Sequence, residues 1–127
     1  MAPVKGLKAP IVSLLVCIVN RSPDRAEMLE SFIGDLERIH NPHHVEVLFL
    51  STTPLKDDLP LLQRKVAANP LFRHVYFETD PGLYAMWNRG WAVASGRYIE
   101  NLNLDDRVGY GALMAKARVL DSREKCA

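Results

Sequence analysis

Four short segments spaced along the chain have the apolar or alternating pattern of a β-strand. They cover Val12–Val19, Val45–Leu50, His74–Glu78 and Arg97–Asn103. The first run is almost continuously apolar and rich in β-branched residues, which is typical of a strand covered on both faces in a parallel sheet. The pattern therefore predicts four strands.

The segment between the first two runs carries the signals of a helix. Ser22, Pro23 and Asp24 supply an N-cap, a first-turn proline and an early acidic residue, which commonly mark the start of a helix. The apolar residues that follow recur at helical spacing, namely Leu29, Phe32, Ile33, Leu36 and Ile39.

Three later segments also predict helices. Pro60–Asn69 has apolar positions at helical spacing, Leu83–Ser95 is followed by Gly96 as a candidate C-terminal cap, and the residues after Arg107 form a glycine-rich turn and a final helix. The apolar stripe of the third helix is expected to cover the sheet, which assigns its tryptophans to the core in preference to a sugar-stacking surface. That stripe consists of Leu83, Met86, Trp87, Trp91 and Ala94.

The alternation of strands and helices predicts an α/β fold with a mostly parallel sheet and helices on both faces. A chain of 127 residues fits one such domain. We expect residues 1–10 to be a flexible lead and residues 11–127 to form that domain. In open sheets of this kind, ligands bind beyond the carboxyl ends of the strands.

Composition narrows the range of partners and locations. The chain has 16 Lys and Arg against 15 Asp and Glu, so it lacks the basic excess expected of a nucleic-acid-binding protein. Its longest apolar stretch, Ile11–Val19, is too short for a transmembrane helix and lacks a signal-peptide cleavage site. Cys17 and Cys126 form no disulfide framework, which favours a cytoplasmic location, with attachment to the inner face of a membrane left open.

Two adjacent carboxylates, Asp105 and Asp106, follow the fourth predicted strand. Their mutual repulsion is relieved if a divalent cation lies nearby, and magnesium and manganese prefer such oxygen ligands together with water and phosphate. The pair is therefore a candidate site for a metal that binds a nucleotide diphosphate. The alternative is a turn in which both side chains cap the following segment.

The stretch Gly82–Arg107 resembles the central motif of family 2 glycosyltransferases of the GT-A fold, in which a run of the form GIY…N-x-G…A-x-G-x-Y-I leads to an Asp-Asp pair. The resemblance extends at lower specificity to Val12, because VSLLVCIVNR and VEVLFL are similar to the family's first two strands. The matching positions are Gly82, Leu83, Tyr84, Asn88, Gly90, Ala94, Gly96, Tyr98, Ile99, Asn103, Asp105 and Asp106.

This resemblance implies a nucleotide-diphosphate sugar as donor and magnesium or manganese as cofactor. Asp106 would be the direct metal ligand, and Asp105 would contact the metal shell or the donor's ribose and sugar. The implied donor-binding residues are Asn20, Ser51, Asn88, Arg89, Asn103 and Asp105.

The chain departs from the family pattern at three positions. Trp87 stands where many relatives have an arginine, Ala85 replaces an aspartate, and Ser51 replaces the carboxylate that binds the base. For Ser51 and Thr52, a polar turn and a contact with the nucleotide are equally good interpretations.

The family transfers the sugar with inversion to an acceptor hydroxyl, which here is an unidentified glycan, lipid or protein. Asp121 and Glu124 belong to a charged stretch expected to be a solvated helix end, so neither is assigned as general base. We expect the donor-binding half to be present and the acceptor half to be largely missing after the Asp-Asp pair. A binding module that acts through a partner, and a remnant that self-associates through an exposed sheet edge, are the competing hypotheses.

Overall fold

The computed structural model describes residues 10–18, 25–39, 44–52, 59–103 and 110–122. Strands and helices alternate through them, which confirms the predicted order of elements. The elements are β1 (Val12–Ile18), α1 (Arg25–Ile39), β2 (Val45–Thr52), α2 (Leu59–Ala68), β3 (Phe72–Phe77), α3 (Leu83–Val93), β4 (Tyr98–Leu102) and α4 (Tyr110–Ser122).

The strands form one sheet in the order β3-β2-β1-β4, and every pairing is parallel. Val12, the first residue of β1, faces Val45 on one side and Tyr98 on the other. The chain moves in one direction from β1 to β3, and α3 then leads back past β2 and β1 to β4. Because crossovers between parallel strands are right-handed, this reversal requires α3 to lie on the opposite face from α1 and α2.

The two faces of the sheet have cores of unequal size. Among the described residues, the major core has 16 buried members from the sheet and from α1, α2 and α4, including Leu14, Phe32, Phe49, Leu62 and Leu113. The minor core has five buried residues, Leu15, Cys17, Leu48, Leu50 and Met86, and α3 is the helix that supplies Met86. Helices therefore cover both faces of the parallel α/β sheet, as the sequence predicts.

Gly90 determines how α3 lies on the sheet. A β-carbon at this position would stand 2.9 Å from Leu50 Cδ1 and 3.2 Å from Leu15 Cδ2, so glycine permits a close approach of helix and sheet. With Met86 and Gly90 facing inward, the next residue, Trp91, turns outward and is 65% exposed. The prediction of a core position for Trp91 is therefore wrong, and Leu83 is also exposed.

Two predicted element ends are also wrong. β2 continues through Ser51 and Thr52, which were interpreted as the start of a turn, because both residues pair with β3 and are buried. α3 ends at Val93 with Ala94 as its C-cap, and Gly96 is not the cap. Glycine at 96 is instead required by close approach, since a β-carbon there would stand 2.6 Å from the backbone nitrogen of Ser13.

A polar cluster built around the buried Ser13 and Glu46, here called the amino-edge network, joins the amino ends of three strands to the loop before β4. It consists of Ser13 in β1, Glu46 in β2, Arg73 in β3, and Ser95 and Gly96 in the loop. Glu46 is its centre and is only 2% exposed. A carboxylate is that deeply buried only when several donors compensate for its lost hydration.

Candidate functional site

The candidate site is the edge formed by the carboxyl ends of the parallel strands. Thr52 and Leu102 are the last residues of β2 and β4, and Asn103 directly follows β4 and is exposed. Asn20, Asp105 and Asp106 lie outside the described residues, so their predicted roles remain predictions. Within the described part of the chain, no three His, Cys, Asp or Glu residues are grouped to hold a metal ion.

Ser51 near the end of β2 is paired with a histidine of the neighbouring strand. Its Oγ lies 2.5 Å from His74 Nε2, and Ser51 is fully buried. Burial lowers the pKa of His74 below its ordinary value of 6.5, because the interior disfavours the charged imidazolium. His74 also packs edge-on against the exposed Tyr76 ring. The Ser51 hydroxyl is therefore already engaged on the face of the sheet that carries the major core.

Thr52 is the next residue in β2 and points to the other face of the sheet. It is 3% exposed, and its hydroxyl oxygen has no hydrogen-bonding partner among the described residues. The indole nitrogen of Trp87 on α3 is buried and unpaired in the same sense. Unpaired buried polar atoms are uncommon in proteins, and these two belong to elements that pack on the same side of the sheet. The sequence does not show that the Thr52 side chain is buried, because its burial depends on β2 continuing through Thr52 in register with β3.

The first turns of α3 reach the candidate site. Only a short turn separates β3 from Leu83, so the helix begins near the carboxyl edge. That turn is set by Gly82, which has φ of 91° and donates its backbone N–H to Asp80 Oδ1 at 2.8 Å. Asn88 and Arg89 lie one to two turns along the helix and are exposed. The predicted donor-binding residues of α3 are therefore open to a ligand from the solvent side.

Tyr84 adds an aromatic group at the start of α3. It is 78% exposed, and its ring lies edge-on to the Trp87 ring with centroids 5.8 Å apart. Tyr84 occupies a position of the family-like motif to which the sequence alone assigned no role.

Asp121 lies at the opposite edge of the sheet. It accepts hydrogen bonds from the Tyr98 hydroxyl and from Arg97 Nη2, the latter at 3.1 Å. The hydrogen bond to Asp121 raises the pKa of Tyr98, with desolvation and the negative charge of Asp121 adding to the shift. Since Tyr98 begins β4 and Asn103 follows its end, Asp121 is separated from the candidate site by roughly the length of the strand, about 16 Å. Asp121 is partly exposed, as predicted for a solvated helix end.

Cys17 lies near the carboxyl end of β1 but contributes no reactive group. The thiol is buried, and burial raises its pKa to about 12. A thiol with so high a pKa is almost entirely protonated at neutral pH and is a poor nucleophile and metal ligand.

The sequence matches no protein-family model, and no curated protein is similar to it in sequence. Solved structures do share its fold. S. aureus TarS 1-349 in complex with UDP-GlcNAc superimposes with a TM-score of 0.73 and 16% identity, over 90% of this chain and 32% of TarS. The mannosyltransferase PcManGT from Pyrobaculum calidifontis, in complex with GDP-Man and Mn2+, gives 0.66 and 16% identity over 89% and 32%.

These similarities establish the fold class. The described chain is an α/β, Rossmann-like sheet of the kind found in GT-A-like glycosyltransferases. It spans about a third of the length of the glycosyltransferases that it matches. In the described residues, no helix combines the length and apolar character needed to cross a membrane.

Proposed function

We propose that the carboxyl edge of this sheet binds a nucleotide-diphosphate sugar together with a divalent metal, as the donor-binding part of an inverting glycosyltransferase related to family 2. One observation carries the proposal: β4 ends at this edge with Leu102, the exposed Asn103 follows it, and Asp105 and Asp106 come two and three residues after Asn103 in the sequence. Glycosyltransferases with the same fold hold UDP-GlcNAc or GDP-Man in their solved structures.

Asp106 and Asp105 are the residues that would hold the metal. Two carboxylates beside a strand end provide the hard oxygen ligands that magnesium and manganese prefer, and they leave positions for water and phosphate. The donor set therefore fits the proposed ion. When bound, such an ion supplies the positive charge that stabilises a diphosphate leaving group.

The remaining contacts are assigned to side chains around the same edge. Arg89 offers a solvent-exposed guanidinium to the diphosphate, and Asn88 and Asn103 offer amide groups to the donor. Asn20 is proposed to line the nucleotide pocket. Ser51 can contact the donor only with a hydroxyl that is already bonded to His74, so we expect its removal to weaken binding less than removal of Arg89.

Transfer of the sugar also needs a base that accepts the proton of the acceptor hydroxyl. Asp121 does not qualify, because it is paired with Tyr98 and Arg97 at the opposite edge. This placement keeps a second proposal open, in which the chain binds the donor and acts through a partner subunit or a second copy of itself.

The test is calorimetric titration of the chain with UDP and with GDP, each in the presence and absence of manganese. We expect manganese-dependent binding of one of them, weakened at least about tenfold in Asp106→Asn. Glu37→Gln is the matched control, because Glu37 is an exposed carboxylate that pairs with Lys65 away from the site. Absence of binding to either nucleotide would contradict the proposal.

A second measurement separates the two versions of the proposal. Incubation with UDP-GlcNAc and GDP-Man, followed by detection of released nucleotide diphosphate, reports turnover. Release by the chain alone supports the enzyme, whereas binding without release supports the module that acts through a partner.

A further inference from the structure

We propose that Glu46 is a positioning residue for the donor-binding edge: through Ser13 and Ser95 it fixes the register of β4 against β1, and thereby the location of Asn103 and the acidic pair that follows it. This inference rests on the proposed function for its ligand. It concerns residues at the amino ends of the strands, away from the proposed donor-binding edge.

Glu46 binds three groups from three parts of the fold. Its Oε2 accepts hydrogen bonds from Ser13 Oγ at 2.6 Å and from the Ser95 backbone N–H at 2.8 Å. Its Oε1 accepts one from Arg73 Nη1 at 2.7 Å. Because the carboxylate is 2% exposed, these donors replace its hydration, and loss of any of them leaves charge uncompensated in the interior.

Ser13 extends this bonding to the start of β4. Its hydroxyl donates its single proton to Glu46, and the same oxygen accepts the backbone N–H of Gly96 at 2.8 Å. Two residues later, the Tyr98 backbone N–H donates to the carbonyl of Ile11 at 3.0 Å. The approach to β4 is therefore fixed by three bonds. Ser95 is bonded to β2, Gly96 to β1, and Tyr98, the first residue of β4, to the residue just before β1.

The side chains of β4 specify its register only weakly. The strand has five residues and pairs with β1 from Val12↔Tyr98 to Val16↔Leu102. Tyr98, Glu100 and Leu102 share one face, Ile99 and Asn101 share the other, and only Leu102 is buried. A shift by two residues would keep each side chain on its own face, so hydrophobic patterning excludes it poorly.

A two-residue shift would nevertheless be decisive for the site. It would move Asn103, which leads to the acidic pair, by about 6.6 Å along the strand direction. A displacement of that size is about three times the length of a metal–oxygen bond. The bonds to Glu46 and Ser13 are lost in such a shift, because each joins one defined backbone N–H to one defined acceptor. The amino-edge network therefore supplies the specificity that the strand itself lacks.

Arg73 ties the end of α3 into the same network. Its Nη1 donates both to Glu46 and to the carbonyl of Val93, the last residue of α3, at 2.8 Å. The helix that carries Asn88 and Arg89 and the strand that leads to Asn103 are thus anchored on one carboxylate.

The test combines nuclear magnetic resonance with nucleotide titration on the full chain. Ser13→Ala removes the link to Gly96 but leaves Glu46 bonded to Arg73 and Ser95, so it is the milder variant, and Glu46→Gln is the stronger one. The control is Val66→Ala, which shortens a partly buried side chain of α2 against the major core. All samples are measured well below the Tm of each variant.

We expect both network variants to lose or weaken the nuclear Overhauser contacts between facing residues of β1 and β4, and to speed amide exchange in β4 on the order of tenfold relative to β2. We also expect their manganese-dependent affinity for nucleotide diphosphate to fall on the order of tenfold. Val66→Ala should lower the Tm with neither effect.

The inference is overturned if the β1–β4 contacts and the affinity persist in both network variants while only the Tm falls, since Glu46 would then be a purely stabilising residue. It is also overturned if β4 loosens and the affinity is unchanged. If the unmodified chain binds neither nucleotide, the proposed function fails, whereas the resonance measurements still decide whether Glu46 sets the register.

Discussion

Gly34 in α1 and Gly90 in α3 are both helical glycines, but their surroundings differ. Among the described residues, and leaving aside the nearby backbone of α1 itself, no atom lies within 4 Å of a β-carbon built at Gly34, whereas one built at Gly90 would meet Leu50 and Leu15 of the minor core. Glycine lowers the stability of a helix interior by about 0.5–1 kcal/mol relative to alanine. At Gly90 the lower helix stability is offset by the close packing that glycine allows. At Gly34 no described contact explains it.

Gly34→Ala should therefore raise the free energy of unfolding by about 0.5–1 kcal/mol. Gly90→Ala should lower it, because overpacking of a core costs about 1–3 kcal/mol and outweighs the gain in helix propensity. Urea unfolding of both variants measures the difference. Equal effects of the two substitutions would show that α3 does not approach the sheet as closely as described.

His74 gives the stability a specific dependence on pH. Its pKa is lowered in the folded chain, so between that lowered value and 6.5 the unfolded chain binds more protons than the folded chain. The contribution of the neutral imidazole is fully present above pH 6.5 and is lost as the pH falls toward the folded-state pKa.

We expect acidification from about pH 8 to about pH 5 to destabilise the unmodified chain more than His74→Gln, which has no titrating group at this position. Chemical denaturation at a series of pH values measures both curves, and the other histidines contribute equally to each. Parallel curves would mean that burial does not disfavour the imidazolium of His74.

At the scale of elements, α4 shows the difference between apolar and ionic docking. Leu113 and Ala117 are buried in the major core, whereas the pairs Lys116–Glu100 and Arg97–Asp121 lie at the surface. Exposed ion pairs contribute about 0–1 kcal/mol, because water already solvates both charges.

Leu113→Ala should therefore cost about 2–5 kcal/mol, and Lys116→Gln less than about 1 kcal/mol. Thermal unfolding at low and at high salt distinguishes the two, since only the effect of Lys116→Gln should shrink as salt screens the pair. If Lys116→Gln destabilised the chain more than Leu113→Ala, the packing of α4 would depend mainly on its ion pairs, and the expectation would be wrong.

The elements themselves were predictable from the sequence because their signals are local. Strand runs and helical spacing located the four strands and the helices between them, and the alternation of elements implied a parallel sheet. The end of β2 was not predictable, because Ser51 and Thr52 have turn-like composition and remain in the strand through pairing with β3. Trp91 was misplaced because its orientation depends on Gly90 packing against β1 and β2.

The amino-edge network was not foreseen for a related reason. Ser13, Glu46 and Arg73 are 33 and 27 residues apart in the chain, and no local pattern marks three polar residues in separate strands as partners. In the candidate site, the sequence proposed Asn88 and Arg89, which the structure shows to be exposed on α3, but it gave no sign that the hydroxyl of Thr52 would be buried without a described partner. Both the partners in the amino-edge network and the burial of Thr52 depend on the register between strands that are distant in sequence, which only the folded sheet shows.

For the whole molecule, the unequal cores imply unequal local stability. Of the residues whose burial the structure describes, α1 contributes four to the major core, whereas α3 contributes Met86 to the minor core. Regions with little buried apolar surface open more easily than the rest of a fold. α3 also carries Asn88 and Arg89, two of the predicted donor-binding residues, so this part of the proposed site should be among the more easily opened.

Native-state hydrogen exchange should accordingly show weaker protection of α3 amides than of α1 amides. Met86→Ala should speed exchange mainly within α3, while Leu29→Ala in α1 should lower the protection of the whole sheet. Uniform loss of protection in both variants would indicate that the two faces unfold as one unit.

The burial of Cys17 has a practical side. All seven residues of β1 are buried, and the sulfur belongs to the innermost strand pair of the sheet. Alkylating reagents and oxidants require the thiolate and physical access to it, and the folded chain withholds both. Cys17 should consequently become reactive only when β1 has been separated from its neighbouring strands, so its modification reports opening of the centre of the sheet.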